Sequence, residues 1–389
     1  MATKKKTGKK KNYDQMALAL HKKLGGKVAL APKGSLKTTD DWSTMYTPGV
    51  AAVSKHLAKK PKDARVYTSK RNTVAVVSDG SAVLGLGNIG PLGALPVMEG
   101  KAAIFKEMAD VDAWPIVLDT QDPDEIVATV KALAPGFGGI NLEDIGAPKC
   151  FEIEARLKKE LSIPVMHDDQ HGTAIVVLAG LINAYKVTKR SFKDSWIVIQ
   201  GAGAAGVATA RLIHQHAPGA HILMLDSKGV IWKGRKDLAP YKKQLIKDKV
   251  IFSEEGGDLT KALIEADALI GVSGPDTITG EHIKQMSKDA IVFALANPIP
   301  EIYPDVAKEA GARVVATGRS DFPNQVNNSL AFPGIFRGAL DKNVPEITDA
   351  MKVKAAKAIA ALIKKPTAQN VIPKNTARGL VEAVAKAIR

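Results

Sequence analysis

A glycine-rich turn between a predicted strand and a predicted helix constrains the fold of this 389-residue chain more than any other feature. The turn occupies residues 201–206, directly after an apolar run at 195–200 and before a helical pattern at 207–214. A second predicted strand, 221–225, leads into Asp226, twenty residues beyond the last glycine of the turn. Strand, glycine turn, helix, strand and acid in this order are typical of a dinucleotide-binding fold.

We expect the turn to bind the pyrophosphate of a dinucleotide. Glycines let the backbone approach the phosphates, and the backbone N–H groups at the start of the following helix favour an anion. The residues expected to make these contacts are Gly201, Gly203, Ala204, Ala205 and Gly206.

Asp226 bears on which dinucleotide is bound. A carboxylate at this position accepts hydrogen bonds from the adenosine ribose hydroxyls and repels a 2′-phosphate, which favours NAD over NADP. Lys228 lies two residues further on and could offset that repulsion. The sequence therefore predicts NAD, with NADP as the alternative.

Strand and helix patterns alternate through most of the chain. Strands are predicted at 73–78, 115–118, 139–142, 163–166, 195–200, 221–225, 268–272, 290–295 and 313–316, and helices at 100–109, 124–133 and 172–185 among others. This alternation is typical of an α/β protein with largely parallel sheets. The length and the 45% hydrophobic composition allow two cores. We predict an N-terminal α/β domain over 13–171 and a Rossmann-type, doubly wound parallel sheet with C-terminal helices over 172–389.

The net charge of +15 is concentrated at the N-terminus, where six of the first eleven residues are lysines. We predict that residues 1–12 form a disordered basic tail, the alternative being an arm that contacts nucleic acid or a membrane. Aromatic residues are only 5% of the chain, and no RNA-binding or helix-turn-helix signature accompanies the charge. We therefore do not expect a nucleic-acid partner.

Other features indicate a soluble protein of the cytoplasm. The longest apolar runs are too short for a span of roughly 20 residues, so no membrane association is expected. No apolar segment of a secretory signal follows the basic N-terminus. Cys150 is the single cysteine, which excludes an intramolecular disulfide and suits a reducing compartment.

Acidic residues follow two neighbouring predicted strands. Glu143 and Asp144 come after 139–142, and Asp168 and Asp169 come after 163–166. Because open α/β sheets bind ligands at the carboxyl ends of their strands, Glu143, Asp144 and Asp169 could hold one cation with positions left for substrate. Carboxylates suit Mg²⁺ or Mn²⁺. The alternative is that these acids are helix N-caps.

Two further polar groups allow more than one interpretation. His167 and His171 have the spacing of a zinc pair, but the acids between them and a helix start at Gly172 favour positioning roles. Asn297 follows the predicted strand 290–295, where a nicotinamide ribose or substrate would lie, although asparagine is also a common turn former. A metal together with a dinucleotide indicates metal-assisted redox chemistry on a small, oxygen-rich substrate.

From about residue 13 to the C-terminus, the chain resembles a malic enzyme of the short prokaryotic type. The matching segments are 46–51 (YTPGVA), 99–102 (EGKA), 141–145 (NLEDI), 167–174 (HDDQHGTA), the glycine turn, 296–298 (ANP), 327–328 (NN) and 332–334 (FPG). The resemblance implies oxidative decarboxylation of L-malate to pyruvate and CO₂ with NAD⁺ or NADP⁺ and Mg²⁺ or Mn²⁺. It also implies a homodimer, in which Tyr46 could serve the site of the neighbouring chain.

The family roles can be assigned to residues of this sequence. Tyr46 would be the general acid, Lys101 the general base, and Glu143, Asp144 and Asp169 the metal ligands. The expected substrate contacts are Asn297, Asn327 and Asp168.

One segment departs from the pattern of longer eukaryotic relatives, which hold a substrate carboxylate with an arginine ahead of a Gly-Leu-Gly segment. Here Asp79, Gly80 and Ser81 precede that segment. We therefore expect the Ser81 region, Asn297, Asn327 and backbone amides to bind the carboxylate.

The mechanism implied is that Lys101 takes the C2 hydroxyl proton during hydride transfer and that Tyr46 protonates C3 after CO₂ leaves. Both side chains have ordinary pKa values near ~10, so each needs a tuned environment. Two alternatives differ in class: an amino-acid or other hydroxy-acid dehydrogenase of the same two-domain plan, and a non-catalytic protein that binds nucleic acid through its tail.

Overall fold

The computed structural model describes residues 12–83, 85–252 and 254–389, which divide after Ala51 into two units. The first unit contains α1 (Tyr13–Leu24) and α2 (Thr39–Met45). None of its described residues is fully buried. The predicted basic tail, 1–12, lies outside the described residues except for Asn12, whose side chain caps α1.

The rest of the chain alternates between helices and strands. The helices are α3 (Val50–Lys59), α4 (Ala64–Tyr67), α5 (Gly90–Ala109), α6 (Pro123–Leu133), α7 (Lys149–Glu160), α8 (Asp168–Thr188), α9 (Ala204–His216), α10 (Pro240–Lys247), α11 (Leu259–Ala262), α12 (Gly280–Lys284), α13 (Pro304–Glu309), α14 (Phe332–Lys342), α15 (Asp349–Ala361) and α16 (Leu380–Ala387). The strands are β1 (Thr73–Ser78), β2 (Asp112–Val117), β3 (Gly139–Leu142), β4 (Val165–His167), β5 (Trp196–Gln200), β6 (His221–Asp226), β7 (Gly229–Val230), β8 (Ala268–Gly271), β9 (Ile291–Ala294) and β10 (Val314–Thr317). Within the described ranges, no helix is both long and apolar enough to cross a membrane.

The first sheet is parallel, with strand order β2-β1-β3-β4. β1 and β3 are buried along their whole length, in agreement with their largely apolar sequences. Because β3 and β4 are neighbours, the loops that follow them leave the sheet side by side.

The second sheet has the order β10-β9-β8-β5-β6-β7. Its strands are parallel except for β7, which pairs antiparallel with β6. The order changes direction at β5, so the glycine turn leaves the sheet at the switch point where dinucleotides bind in doubly wound folds. The predicted α/β class with a Rossmann-type sheet is confirmed.

Two helices begin earlier than the sequence predicts. The helix expected from residue 100 starts at Gly90, because Ala94, Met98, Ala102 and Phe105 already form its buried face. Glycines and prolines in the first half of this helix hide the helical periodicity in the sequence. The helix expected from Gly172 starts at Asp168 instead, so Asp168 and Asp169 occupy its first turn and are not N-caps.

Helix α14, from the C-terminal part of the chain, packs against the first sheet. The ring centroids of Phe332 and Phe336 lie 4.7 Å and 5.5 Å from that of Phe105 on α5. Phe336 also packs against Gly139 of β3. The division into domains at 171/172 falls inside α8 and stays a prediction.

Candidate active site

Three carboxylates converge where β3 and β4 end. Glu143 and Asp144 directly follow β3, and Asp169 is the second residue of α8 after β4. One oxygen from each lies within 4.8 Å of the others. The backbone N–H of Asp144 donates to Oδ2 of Asp169 at 2.8 Å, which joins the two loops. The local backbone of Asp144 is left-handed, with φ of 53°.

The chemistry of this donor set fits a divalent cation. Glu143 and Asp144 are 2% and 3% exposed, so water screens their charges poorly. Burial raises the pKa of the Glu143 carboxyl well above its ordinary value, the charge of Lys101 opposes this, and the neighbouring carboxylates add to it. A hard cation bound by carboxylate oxygens would remove this repulsion, and Mg²⁺ or Mn²⁺ has that preference.

Lys101 projects from α5 into the same cluster and is buried. Its Nζ lies 2.9 Å from Oε1 of Glu143, donates to Oδ2 of Asp168 and sits 4.2 Å from the centre of the Phe332 ring. Burial alone would lower the pKa of Lys101, but the carboxylates of Asp168, Glu143 and Asp169 raise it above its ordinary value. Within the protein alone, Lys101 is therefore an ammonium ion.

The side chain of Asp168 is fully buried and bonds Lys101. Its predicted contact with the substrate stays a prediction. Asp169, the next residue, lines the cavity. The first turn of α8 thus directs one acid towards the lysine and the other towards the carboxylate cluster.

A cavity of about 610 Å³ opens beside the cluster and extends between the two sheets. Its walls include Lys101, Glu143, Asp144, Asp169, Thr173, Ala205, residues 272–275, residues 295–299 and residues 326–328. The predicted substrate contacts Asn297 and Asn327 are among them, and so is Asn328. Lys101 is the one cation among these described lining residues, and carboxylates, hydroxyls and amides make up the other polar side chains.

The Ser81 region borders this cavity, and its role in binding the substrate carboxylate stays a prediction. The Ser81 hydroxyl donates to Oδ1 of Asp79 and accepts from the N–H of Gly146 at 2.9 Å, so it holds the loop after β3. Ala82 and Gly85, further along, line the cavity.

The glycine turn has a steric requirement at two positions. A Cβ atom at Gly206 would lie 1.9 Å from the carbonyl oxygen of Gly201. Gly201 itself has φ of 123°, and a Cβ there would lie 2.4 Å from the Val272 carbonyl oxygen. Gly203 is the N-cap of α9, whose residues Ala204 and Ala205 start the helix. An anion can therefore approach the N–H groups of this turn closely.

Asp226 lies at the end of β6 and is already bonded by cations. Its Oδ1 accepts from Nη1 of Arg235 at 2.8 Å and from the N–H of Lys228 at 2.9 Å, and Oδ2 accepts from Lys242. Burial opposes ionisation, but these donors lower the pKa of Asp226 to about 2. The sequence suggests that the Lys228 side chain could offset the negative charge of Asp226. Its Nζ pairs with Asp237 at 2.9 Å instead. Arg235 and Lys242 neutralise the carboxylate.

The two histidines face different carboxylates. Nε2 of His167 lies 3.8 Å from Oδ2 of Asp169, whereas Nε2 of His171 lies 2.9 Å from Oε2 of Glu154. The side chains thus do not converge on one point as a zinc pair would.

Tyr46 belongs to the first unit and follows α2 directly. Its side chain is 64% exposed. Its role as a general acid stays a prediction.

Sequence reasoning missed Glu301, which joins the loops that follow β8 and β9. Its carboxylate is fully buried and accepts from the N–H groups of Ser273 at 2.9 Å and Ala296 at 3.0 Å. The available signal was a single acid within the apolar and proline-rich run 298–304.

A Rossmann sheet that faces a buried lysine and three clustered acids defines a dinucleotide-dependent oxidoreductase. Two family descriptions match the chain: "Malic enzyme, N-terminal domain" over residues 26–158 and "Malic enzyme, NAD binding domain" over residues 170–388. The chain belongs to the malic enzyme family. The resemblance and the function predicted from the sequence are confirmed, and oxidative decarboxylation of malate is the expected reaction.

Individual relatives agree with this assignment. The chain is 52% identical over 374 residues to the bifunctional malic/malolactic enzyme of Bacillus subtilis (strain 168), covering 96% of this chain and 91% of that protein. It is 46% identical over 361 residues to the NADP-dependent malic enzyme of Halomonas elongata, covering 92% and 84%. The crystal structure of the NAD-dependent malic enzyme from Thermotoga maritima matches with a TM-score of 0.91 and 47% identity, covering 96% and 98%. Since relatives of both cofactor types match, relatedness does not choose between NAD and NADP.

Proposed function

We propose that the cavity between the two sheets converts L-malate to pyruvate and CO₂ with NAD(P)⁺, and that Glu143, Asp144 and Asp169 hold Mg²⁺ or Mn²⁺ there. The observation that carries this proposal is the convergence of three acids, each within 4.8 Å of the others, beside buried Lys101. When bound, a divalent cation would supply positive charge that polarises the substrate oxygens and lowers the pKa of Lys101 towards that of a general base.

The side chains then divide the proton transfers between them. Lys101 accepts the C2 hydroxyl proton as the substrate is oxidised, and NAD(P)⁺, when bound, would take up the hydride from C2. Asp168 accepts a hydrogen bond from Nζ of Lys101, which fixes the direction of the lysine side chain, and it remains shielded from water. The amides of Asn297 and Asn327 bind the second carboxylate of the substrate, as their place in the cavity wall supports.

We propose NAD as the preferred cofactor, by a small margin. Asp226 remains ionised and can accept from ribose hydroxyls with its remaining lone pairs. Arg235 and Lys242 weaken its repulsion of a 2′-phosphate. The ratio of kcat/KM for NAD⁺ and NADP⁺ tests this, and a preference for NADP⁺ would contradict it.

We also propose a homodimer in the cytoplasm, with Tyr46 protonating C3 in the site of the partner chain. Support comes from the first unit, which exposes large apolar side chains throughout. They include Tyr13, Met16, Leu18, Leu20, Leu24, Leu30, Trp42 and Tyr46. A second copy of the chain would remove this apolar area from water. The single, buried thiol of Cys150 is compatible with a reducing compartment.

Subunit mixing tests the role of Tyr46. Tyr46→Phe and Lys101→Ala homodimers should each be inactive. Random re-pairing should give half heterodimers with one intact site of two, hence about a quarter of wild-type activity. No recovery, with heterodimers verified by mass, would show that Tyr46 acts within its own chain.

The reaction is tested by measuring pyruvate and reduced cofactor formed from L-malate, with and without a chelator. We expect equimolar products, loss on chelation, and loss in Asp169→Asn. Glu160→Gln is a matched control, because Glu160 is a surface acid that pairs with Lys131. Turnover that resists chelation would overturn the proposed metal site.

A further inference from the structure

Glu154 is a buried acid that the proposed reaction does not use. It lies on the apolar face of α7 beside Ile153 and Leu157, and it is 5% exposed. A carboxylate in such a position is unfavourable unless its oxygens are bonded. Its contacts therefore reveal what it does.

Both oxygens of Glu154 bind the start of α8. Oε1 accepts from the backbone N–H of His167 at 2.9 Å, and Oε2 is 2.9 Å from Nε2 of His171. His167 is the N-cap residue of α8 and makes no capping bond with its own side chain. Asp168 and Asp169 follow it directly, so Glu154 holds the residues on either side of the two acids. A negative charge here also interacts favourably with the helix N-terminus.

The bond to His171 is itself oriented from α15. Lys352, which is 2% exposed, lies 3.0 Å from Nδ1 of His171 and donates to Asp349 at 2.8 Å. Because a carboxylate can only accept, Nε2 of His171 carries the proton that points to Glu154, and Nδ1 is left to accept from Lys352. Lys158, 3.0 Å from Oε1, balances the charge of Glu154.

We propose that Glu154 is a positioning residue for the metal site. By holding His167 and His171, it fixes the first turn of α8 so that Asp169 faces Glu143 and Asp144. This inference rests on the proposed function of those three acids as metal ligands. Groups that orient metal ligands typically contribute 10–100-fold to metal affinity.

The test is direct Mn²⁺ binding to the full-length protein, measured by the electron paramagnetic resonance of free Mn²⁺. Glu154→Gln leaves a donor facing either the His167 N–H or the His171 imidazole, so we expect Mn²⁺ affinity to fall about tenfold. Glu152→Gln, an exposed position on the same helix, is the matched control and should bind as wild type. NAD⁺ affinity should be unchanged in both, which distinguishes local positioning from general loosening of the fold.

Each result has a definite meaning. If wild type binds no Mn²⁺, the metal site fails and this inference fails with it. If wild type binds Mn²⁺ and folded Glu154→Gln binds it within twofold as well, only the role of Glu154 is overturned. Should Glu154→Gln fail to fold, Lys352→Met provides the test. This variant lacks the donor that orients His171, so we expect its Mn²⁺ affinity to fall, but by less than tenfold. An Mn²⁺ affinity equal to that of wild type would overturn the inference.

Discussion

Gly85 packs directly against the backbone carbonyl group of Asn297 at the wall of the candidate active-site cavity. A Cβ atom at position 85 would come within 1.8 Å of that oxygen. The loop after β1 and the loop after β9 therefore meet at a point that only glycine permits. Because Gly85 and Asn297 both line the cavity, the contact limits how closely these two loops approach at the cavity wall.

Gly85→Ala should separate these loops. We expect kcat/KM for malate to fall on the order of 10²-fold, since small displacements of reacting groups have effects of that size. Gly136→Ala is the control, because no atom lies within 4 Å of a Cβ there. Wild-type kcat/KM in a folded Gly85→Ala variant would show that the contact does not limit turnover.

Asp226→Asn should shift cofactor preference towards NADP⁺. The change removes one negative charge while Arg235 and Lys242 stay in place to meet a 2′-phosphate. We expect the kcat/KM ratio of NADP⁺ to NAD⁺ to rise roughly tenfold, about the effect of 1.4 kcal/mol. Asp248→Asn, which alters a surface pair with Arg211, should leave the ratio unchanged. An unchanged ratio in Asp226→Asn would indicate that the 2′-phosphate of NADP⁺ does not bind beside Asp226.

The same carboxylate should make stability depend on pH in acid. The folded pKa of Asp226 is about 2, below its ordinary value of 3.8, so protons bind more strongly to the unfolded chain. Its contribution is therefore present above about pH 4 and is lost as the pH falls towards 2. We expect wild type to exceed Asp226→Asn in unfolding free energy by about 1 kcal/mol at pH 6, after allowance for solvent screening, and by less at pH 3. Urea unfolding of both proteins at the two pH values measures this, and a difference that grows in acid would contradict it.

Glu301→Gln should weaken dinucleotide binding but not Mn²⁺ binding. Glutamine can accept only one of the two bonds from Ser273 and Ala296, so one of the loops after β8 and β9 is released. We expect NAD⁺ affinity to fall about tenfold, a loss of the size of one buried hydrogen bond. Calorimetry with NAD⁺ tests this against Glu309→Gln, an exposed position on α13. Equal NAD⁺ affinity in the two variants would argue against the role of Glu301.

The elements that could be predicted are those whose signal is local. The strand at 73–78 and the glycine turn are encoded by short runs of sequence, and both lie where the sequence places them. The proximity of Glu143, Asp144 and Asp169 followed from the rule that neighbouring parallel strands bring their carboxyl ends together. Their role as metal ligands stays a prediction.

What could not be predicted depends on contacts between distant segments. Arg235 and Lys242 reach Asp226 from loops and helices with no motif of their own. The direction of Asp168 depends on where Lys101 stands, 67 residues earlier in the chain. Such pairings arise from packing and have no local pattern in the sequence.

The position of α14 has a consequence for how the protein is made on the ribosome. Phe332 and Phe336 cover Phe105, and Phe336 also packs on β3, so this face of the first sheet stays uncovered while the nascent chain is shorter than about 340 residues. The first half of the chain can therefore form its strands early but completes its core only after α14 has been synthesised.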